Sequence, residues 1–380
     1  MTSSPSSLRV ALIGNGFMGA AHSQAWRVAP RFFDLPLEPE MSVLVGRDAG
    51  RAEIAAGRWG WAASSDDWRS VIARDDIDVV DIVTPGDSHA EIACAALAAG
   101  KHVICEKPLA NTVDEARAMA DAARAAAADG ILAMVGFTYR RVPAVTLARD
   151  LVAEGRVGTI RQITVSYHQD WLVDPESPFT WRMDKSLAGS GALGDIGAHA
   201  IDLAQFVTGH DISSVSGIIE TLVPERRDAH GRAAVVTVDD RALFTGRLDN
   251  GVLGSFEVSR MSTGRKNSLR IEVAGSLGAI AFDLEDLNSL QFYDATIDAS
   301  RRGFSKIIVT EPEHPYIEAW WPAGHMLGYE HGFSHQVSDF VHAIAAGEQP
   351  RPSFDDGLQV QRVLDAVERS SHAGSVWSAV

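Results

Sequence analysis

Leu8-Arg9-Val10-Ala11-Leu12-Ile13-Gly14-Asn15-Gly16-Phe17-Met18-Gly19 is the stretch on which the fold turns. Six residues of strand pattern run directly into G-x-G-x-x-G, and an Ala-rich helical stretch follows. Strand, glycine turn and helix, in that order, form the context a dinucleotide fingerprint requires. Gly14 permits the tight turn, Gly16 lets the backbone approach a pyrophosphate, and Gly19 allows close helix–strand packing. The amino end of the helix then offers unpaired N–H groups and a positive dipole end to phosphates. Phe17 and Met18, inside the turn, belong with the glycines on the cofactor side. The plain alternative is a glycine turn without a ligand.

Working outward, strands and helices alternate. Met41–Val45 reads as a strand, Asp48–Trp59 and Asp66–Arg74 as helices, and Val79–Val83 as a buried strand. His89–Ala99 (helix), His102–Cys105 (strand), Val113–Ala127 (helix) and Ile131–Val135 (strand) follow. Near-continuous apolar strands with helical crossovers predict a doubly wound parallel sheet, an α/β Rossmann arrangement. Its ligand belongs at the carboxyl ends of the strands. Three loops leave such ends: the glycine loop, Thr84-Pro85-Gly86-Asp87 and Glu106-Lys107-Pro108. After the second strand comes Gly46-Arg47-Asp48. An acid there suits a ribose 2′-hydroxyl and an arginine a 2′-phosphate, so NAD is expected and NADP is not excluded. Asp48 also has the alternative of capping the next helix.

Two further constellations carry chemistry. Lys107 is one of only five lysines among 34 basic residues, and it stands at a strand end before a stiffening proline. A lysine there either stabilises a substrate alkoxide or forms a surface Glu-Lys pair. The second constellation is Ala188-Gly189-Ser190-Gly191-Ala192-Leu193-Gly194-Asp195-Ile196-Gly197-Ala198-His199, continuing as a helix through Ile201, Asp202 and Phe206. Asp195 and His199 are four apart and share a helix face. Beside a carboxylate an imidazole gains basicity and a fixed orientation, as a general base needs. The other reading is an Asp complementing the helix dipole and an unrelated histidine.

Gly14–Gly19, Thr84-Pro85 with His89, Glu106-Lys107-Pro108 and Asp195 to Asp202, in this order, resemble the glucose–fructose oxidoreductase / inositol dehydrogenase / MocA (Gfo/Idh/MocA) superfamily over essentially the whole chain. The resemblance implies a Rossmann domain followed by an α+β domain on a large open, mostly antiparallel sheet. It implies Lys107, Asp195 and His199 as the catalytic group, with His199 taking a hydroxyl proton as hydride passes to the nicotinamide. Thr84, Pro85, His89 and Glu106 would line the nicotinamide side, and Arg47 or Asp48 would meet the adenosine ribose.

A narrower similarity, to the levoglucosan dehydrogenase-like members, rests on Phe137–Ala144, Gln169-Asp170-Trp171, Trp181-Arg182 and Ala188–Ile196 with His199. It implies substrate-side positions at Tyr139, Gln169 and Trp171, together with Lys107, Asp195 and His199. The implied activity is oxidation of a secondary ring hydroxyl of a cyclic sugar, anhydrosugar or glycoside to a ketone. Inositol 2-dehydrogenase is the alternative within the class. An NAD-dependent glycosidase and a non-catalytic dinucleotide-binding regulator are the alternatives outside it. Two positions depart from the pattern: Thr138, where asparagine is expected, and Gly46-Arg47-Asp48.

From Gly158 the pattern turns β-rich, with the hairpin signal Asp249-Asn250-Gly251 and few intervening helices, which predicts a mainly antiparallel sheet. The expected division is 1–137 for the dinucleotide domain and 138–380 for the substrate and oligomerisation domain. Gly357–Arg369 is an expected helix packing back on the body. The open sheet would join subunits into a homodimer or homotetramer. The stretch from His314 to His335 concentrates Trp320, Trp321, His325, Tyr329, His331 and His335, and aromatics beside polar groups suit a sugar. His335 is therefore included on the substrate side. His331 and His335 have i, i+4 spacing, but no third ligand is evident and no metal is expected.

Composition sets the outer limits. Lys+Arg 34 against Asp+Glu 50 leaves a net charge of −16, without the basic runs that nucleic-acid binding needs. No segment reaches the roughly 18 apolar residues of a spanning helix. The Ser-rich start lacks the basic residues of a secretory signal, and Cys94 and Cys105 are too few for a disulfide framework. A cytoplasmic location is expected.

Overall fold

Six segments of the first part of the chain become the strands of one all-parallel sheet: β1 (Ser6–Ile13), β2 (Leu37–Val45), β3 (Ala63–Ser65), β4 (Val79–Ile82), β5 (His102–Cys105) and β6 (Ala133–Val135). The computed structural model describes residues 6–380, and the first part of the Ser-rich start, 1–5, lies outside the described residues. The strand order is β3-β2-β1-β4-β5-β6. The crossovers include helices α1 (Phe17–Phe32), α2 (Ala49–Trp59), α3 (Trp68–Ile72), α4 (His89–Ala98) and α5 (Val113–Ala127). The order reverses between β1 and β4, so the loops after these two strands diverge at the switch point where such sheets bind ligands.

The second part begins with α6 (Pro143–Ala153) and continues through β7 (Ile160–His168), α7 (Lys185–Ala188) and α8 (Ala198–Thr208). A run of strands follows: β8 (Ile212–Glu220), β9 (Glu225–Arg227), β10 (Ala233–Val235), β11 (Arg241–Leu248), β12 (Leu253–Ser259), β13 (Ser268–Gly275), β14 (Gly278–Asp283), β15 (Ser289–Asp294) and β16 (Phe304–Ile308). With β17 (Ser378–Ala379), they form a nine-stranded sheet ordered β16-β15-β14-β13-β7-β12-β11-β8-β17, leaving β9 and β10 as a separate hairpin. Within the large sheet only β7 and β12 run parallel. The expected α/β plus antiparallel α+β architecture is the one observed. Residues alternate between buried and exposed along β11, as they must on a sheet with one covered face.

Two helices complete the chain, α9 (His331–Ala346) and α10 (Phe354–His372). The molecule divides into a first unit, 1–138 with 328–358, and a second unit, 139–327 with 359–380. The sequence reading divides it once, at 137/138. The first unit also takes in 328–358 because Phe333, Val337 and Phe340 of α9 pack with Trp26 and Ala29 of α1 in a single core. The end of the aromatic-rich stretch, from His331 to His335, therefore lies inside a helix. No helix among the described residues is long and apolar enough to cross a membrane.

Candidate active site

In the first unit the glycine turn has the geometry its sequence predicts. Gly14 has φ +124°, and a Cβ there would lie 2.8 Å from the Val83 carbonyl oxygen. A Cβ on Gly19 would come within 2.4 Å of the Gly14 oxygen, whereas one on Gly16 would meet nothing within 4 Å. Glycine is thus required at 14 and 19 by packing, and at 16 the backbone borders open space. Gly16 caps α1 without a side-chain bond, and the first turn of α1 holds no acidic residue. Free N–H groups, an uncompensated dipole and room beside the backbone fit the pyrophosphate of a dinucleotide. Phe17 is exposed, Met18 half-buried. After β2, Asp48 caps α2, its Oδ1 accepting the Arg51 N–H at 2.8 Å. Arg47 and Asp48 both remain exposed.

The other two loops are tied together from behind. His89 is buried, with Nε2 2.9 Å from the Thr84 oxygen and Nδ1 3.1 Å from the Pro108 oxygen. It therefore links the Thr84-Pro85 and Lys107-Pro108 turns. Glu106 is likewise turned inward. Its Oε1 lies 3.0 Å from His22 Nε2, and its Oε2 accepts the Lys107 N–H at 3.1 Å. His22 Nδ1 lies 2.9 Å from Asp81 Oδ2, which also accepts the Trp26 indole N–H at 2.7 Å. Burial works against a charged imidazole here, but the attraction and hydrogen bonds of Asp81 and Glu106 prevail. The His22 pKa is pushed up to about 10, so at neutral pH the ring donates from both nitrogens. Thr84, Pro85 and Lys107 keep partial exposure at the loop surface. His89 and Glu106, expected on the nicotinamide side, are thus buried behind these loops and bonded to them.

In the second unit, Leu193–Gly197 forms a single π turn that runs into α8. Such turns are rare and cluster at functional sites. This one is built by Asp239, whose Oδ1 and Oδ2 accept the Gly191 and Leu193 N–H groups, each at 2.7 Å. A Cβ on Gly191 would sit 1.8 Å from the Asp239 carbonyl oxygen, so only glycine allows the approach. Burial pushes the Asp239 carboxyl up, while the two N–H bonds and nearby Arg260 pull it down. Asp195 lies in the π turn and His199 in the first turn of α8, both half-buried.

Around this pair stands a continuous polar wall. The His199 ring is 4.6 Å from the Tyr139 ring and 6.0 Å from that of Tyr167. The Tyr139 and Tyr167 hydroxyls are 2.9 Å apart, and Tyr167 donates to Asn267 Oδ1 at 2.7 Å. Gln169 Nε2 donates to the same oxygen at 2.8 Å, and Trp171 Nε1 donates to Gln169 Oε1 at 2.9 Å. Arg260 lies 5.3 Å from the Trp171 ring centroid, and its Nη2 donates to Asp195 Oδ2 at 2.7 Å. Arg140 holds the turn that carries Tyr139 to α8 through a forked pair with Asp202, at 2.9 Å from Nε and 2.5 Å from Nη2. A half-buried imidazole four residues after Asp195, walled by rings and amides, is equipped to take a hydroxyl proton and hold a polar, ring-shaped molecule.

Tyr139, Gln169, Trp171, Asp195 and His199 are thus brought together in the second unit. His335 is not. It is fully buried in the first unit, edge-on to Phe33 at 5.9 Å. Thr138, the departure from the expected pattern, is also buried, donating to Gln336 Oε1 at 2.9 Å. Sequence reasoning missed His22, Asp81, Tyr167, Arg260 and Asn267. Only Asp81 left a signal, as the one acid inside the apolar run Val79–Val83.

A Rossmann sheet with an intact phosphate turn, and a separate β-sheet unit bearing an acid–imidazole pair, define a nicotinamide-type oxidoreductase. The chain belongs to the GFO/IDH/MocA family: the model for the oxidoreductase family with an NAD-binding Rossmann fold matches residues 8–137, and the model for the GFO/IDH/MocA C-terminal domain matches 145–281. It is 44% identical over 379 residues to levoglucosan dehydrogenase of Pseudarthrobacter phenanthrenivorans, with 96% of each chain covered. A levoglucosan dehydrogenase structure in complex with NADH and levoglucosan matches at TM-score 0.94 and 44% identity, covering 98% of this chain and 99% of the other. An oxidoreductase domain protein from Kribbella flavida matches at TM-score 0.97 and 61% identity, with 99% of both chains covered. Inositol 2-dehydrogenase of Rhizobium meliloti is 27% identical over 365 residues, covering 96% of each chain.

Proposed function

We propose that this oxidoreductase uses NAD to convert a secondary ring hydroxyl of a cyclic sugar, anhydrosugar or glycoside into a ketone. The observation that carries the reading is the acid–imidazole pair Asp195 and His199 set in a wall of Tyr139, Gln169 and Trp171. Its likeness in fold and sequence to levoglucosan dehydrogenase supports the substrate class.

Bound at the glycine turn, NAD supplies the hydride acceptor. The chain supplies the rest. Gly14, Gly16, Phe17, Met18 and Gly19 hold the pyrophosphate, and Arg47 or Asp48 the adenosine ribose. Thr84 and Pro85 border the nicotinamide end, with His89 and Glu106 bracing their loops. His199 takes the hydroxyl proton, with Asp195 orienting the ring and favouring its charged form. Lys107 stabilises the developing alkoxide through its ammonium group. The amide and indole groups of Gln169 and Trp171 hold hydroxyls, while the rings cover C–H faces.

The subunit contact in this reading is the outward face of the second sheet, where cross-strand neighbours Ile218 and Leu243 stay exposed. A homodimer or homotetramer results. Two free thiols, Cys94 and Cys105, suit the reducing cytoplasm.

The test is a reduced-nicotinamide absorbance assay with NAD and NADP against anhydrosugars, glucosides, free sugars and inositols. NADH formation with an anhydrosugar or glucoside is the expected result. Turnover of inositols alone would make the chain an inositol 2-dehydrogenase. Release of free sugar without net NADH would make it an NAD-dependent glycosidase. Dinucleotide binding without any turnover would point to a regulator.

A further inference from the structure

Arg260 is among the largest side chains fully buried in the molecule, at 1% exposure. It follows the last residue of β12, where the parallel register with β7 brings it beside Gln169 and Trp171. A guanidinium never gives up its proton in a protein, so its burial demands a counter-charge. One side-chain bond meets that demand, from Nη2 to Asp195 Oδ2 at 2.7 Å. Nε and Nη1 are buried without hydrogen-bond partners. The guanidinium carbon lies over the Trp171 ring, 5.3 Å from its centroid.

As a stabilising device this is poor, because a buried cation with two idle donors costs more than an apolar side chain of similar size. As a device acting on Asp195 it has a clear effect. Asp239 fixes the backbone of the π turn through Gly191 and Leu193, and Arg260 fixes the side chain that the turn presents. With a permanent cation against one oxygen, the charged carboxylate of Asp195 keeps its hydrogen-bonded ion pair.

We propose that Arg260 is a positioning residue for Asp195, holding it as an oriented carboxylate so that His199, and not Asp195, carries the proton. This rests on the reading of Asp195 and His199 as the proton-handling pair.

The experiment uses the full-length chain and four variants: Arg260→Met, Arg260→Lys, Asp195→Asn and the double variant Arg260→Met/Asp195→Asn. The kcat, the KM for the best sugar, the NADH Kd and the thermal midpoint are measured for each. In Arg260→Met, kcat is expected to fall about 100-fold with the NADH Kd within about twofold of wild type, and Arg260→Lys to recover about tenfold of the loss. In the Asp195→Asn background the Arg260→Met change is expected to lower kcat by less than about threefold, because the two groups act as one.

An equal loss in both backgrounds, a kcat of Arg260→Met near wild type, or no gain from lysine would each overturn the proposal. Where Arg260→Met does not fold, Arg260→Lys decides, paired with Arg260→Lys/Asp195→Asn. A kcat loss confined to the Asp195 background supports the proposal, and the same loss in both, or none in either, overturns it. Full activity of Asp195→Asn would instead remove the reading on which the proposal stands.

Discussion

The two units each bury a charged network, and the networks are built in opposite ways. In the first unit, Asp81, His22 and Glu106 are 5% exposed or less, and the imidazole is bonded at both nitrogens. The chain of bonds runs from the Trp26 indole to the Lys107 backbone N–H, with each carboxyl oxygen taken. In the second unit, Arg260 is sealed but has two idle donors, and Asp195 is 34% exposed. A closed network has one low-energy arrangement and serves as a brace. An open one keeps a charged face toward solvent and is suited to acting on a ligand. The brace belongs to the loop that carries Lys107, and the open pair to the helix that carries His199.

This contrast breaks most visibly at Lys107, the first residue past the closed network. Lys107→Met is expected to lower turnover by about 1000-fold or more while NADH binding stays near normal, because only alkoxide stabilisation is lost. Steady-state rates and a fluorescence titration check it, and near-normal turnover would remove Lys107 from the chemistry. Next in size is His22→Leu. It leaves two buried carboxyl groups facing an apolar side chain without a cation, at a cost of about 3–5 kcal/mol, read from the denaturant midpoint. A loss below about 1 kcal/mol would mean that the closed network is no brace.

The third effect is on the pH dependence of stability. The His22 pKa is raised from 6.5 to about 10 in the fold, so between these values the folded chain holds a proton that the unfolded chain has released. Its stabilisation is complete below pH 6.5 and is lost as the pH rises through about 10. Across that window the unfolding free energy of the wild type should fall more steeply than that of His22→Gln, by up to about 1.4 kcal/mol per pH unit. Parallel curves would refute the assignment of a charged imidazole. The smallest effect belongs to the polar wall. Asn267→Ala removes the acceptor shared by Tyr167 and Gln169. It should raise the sugar KM about 3–10-fold with kcat little changed, a pattern of lost uniform binding. A fall in kcat at constant KM would instead place Asn267 with the open network.

Much of this was legible in the chain before its fold was known. Gly14 and Gly19 declare the phosphate turn because their roles are local, one set by its own backbone torsion and the other by an approach to Gly14. The parallel sheet follows from continuous apolar runs, and the antiparallel one from alternation and Asp249-Asn250-Gly251. What was not legible shares a cause. His335 has the look of a pocket residue beside aromatics, but α9 folds back into the first unit and buries it. Glu106 stands in a motif at a strand end, yet its direction depends on His22, 84 residues earlier.

The sequence by itself determined the glycine turn, the strand–helix alternation, the change to a β-rich second half and the candidates Lys107, Asp195 and His199. These depend on spacing, periodicity and short-range sterics, which a linear string contains. The tertiary structure alone decided that Glu106 and His89 face inward, that Tyr167 and Asn267 complete the wall, and that Arg260 stands against Asp195. Apart from the His89–Thr84 bond, each of those is a contact between residues far apart in sequence. It is set by where two strands or helices happen to end, and a buried charge acquires its partner only when the chain has packed around it.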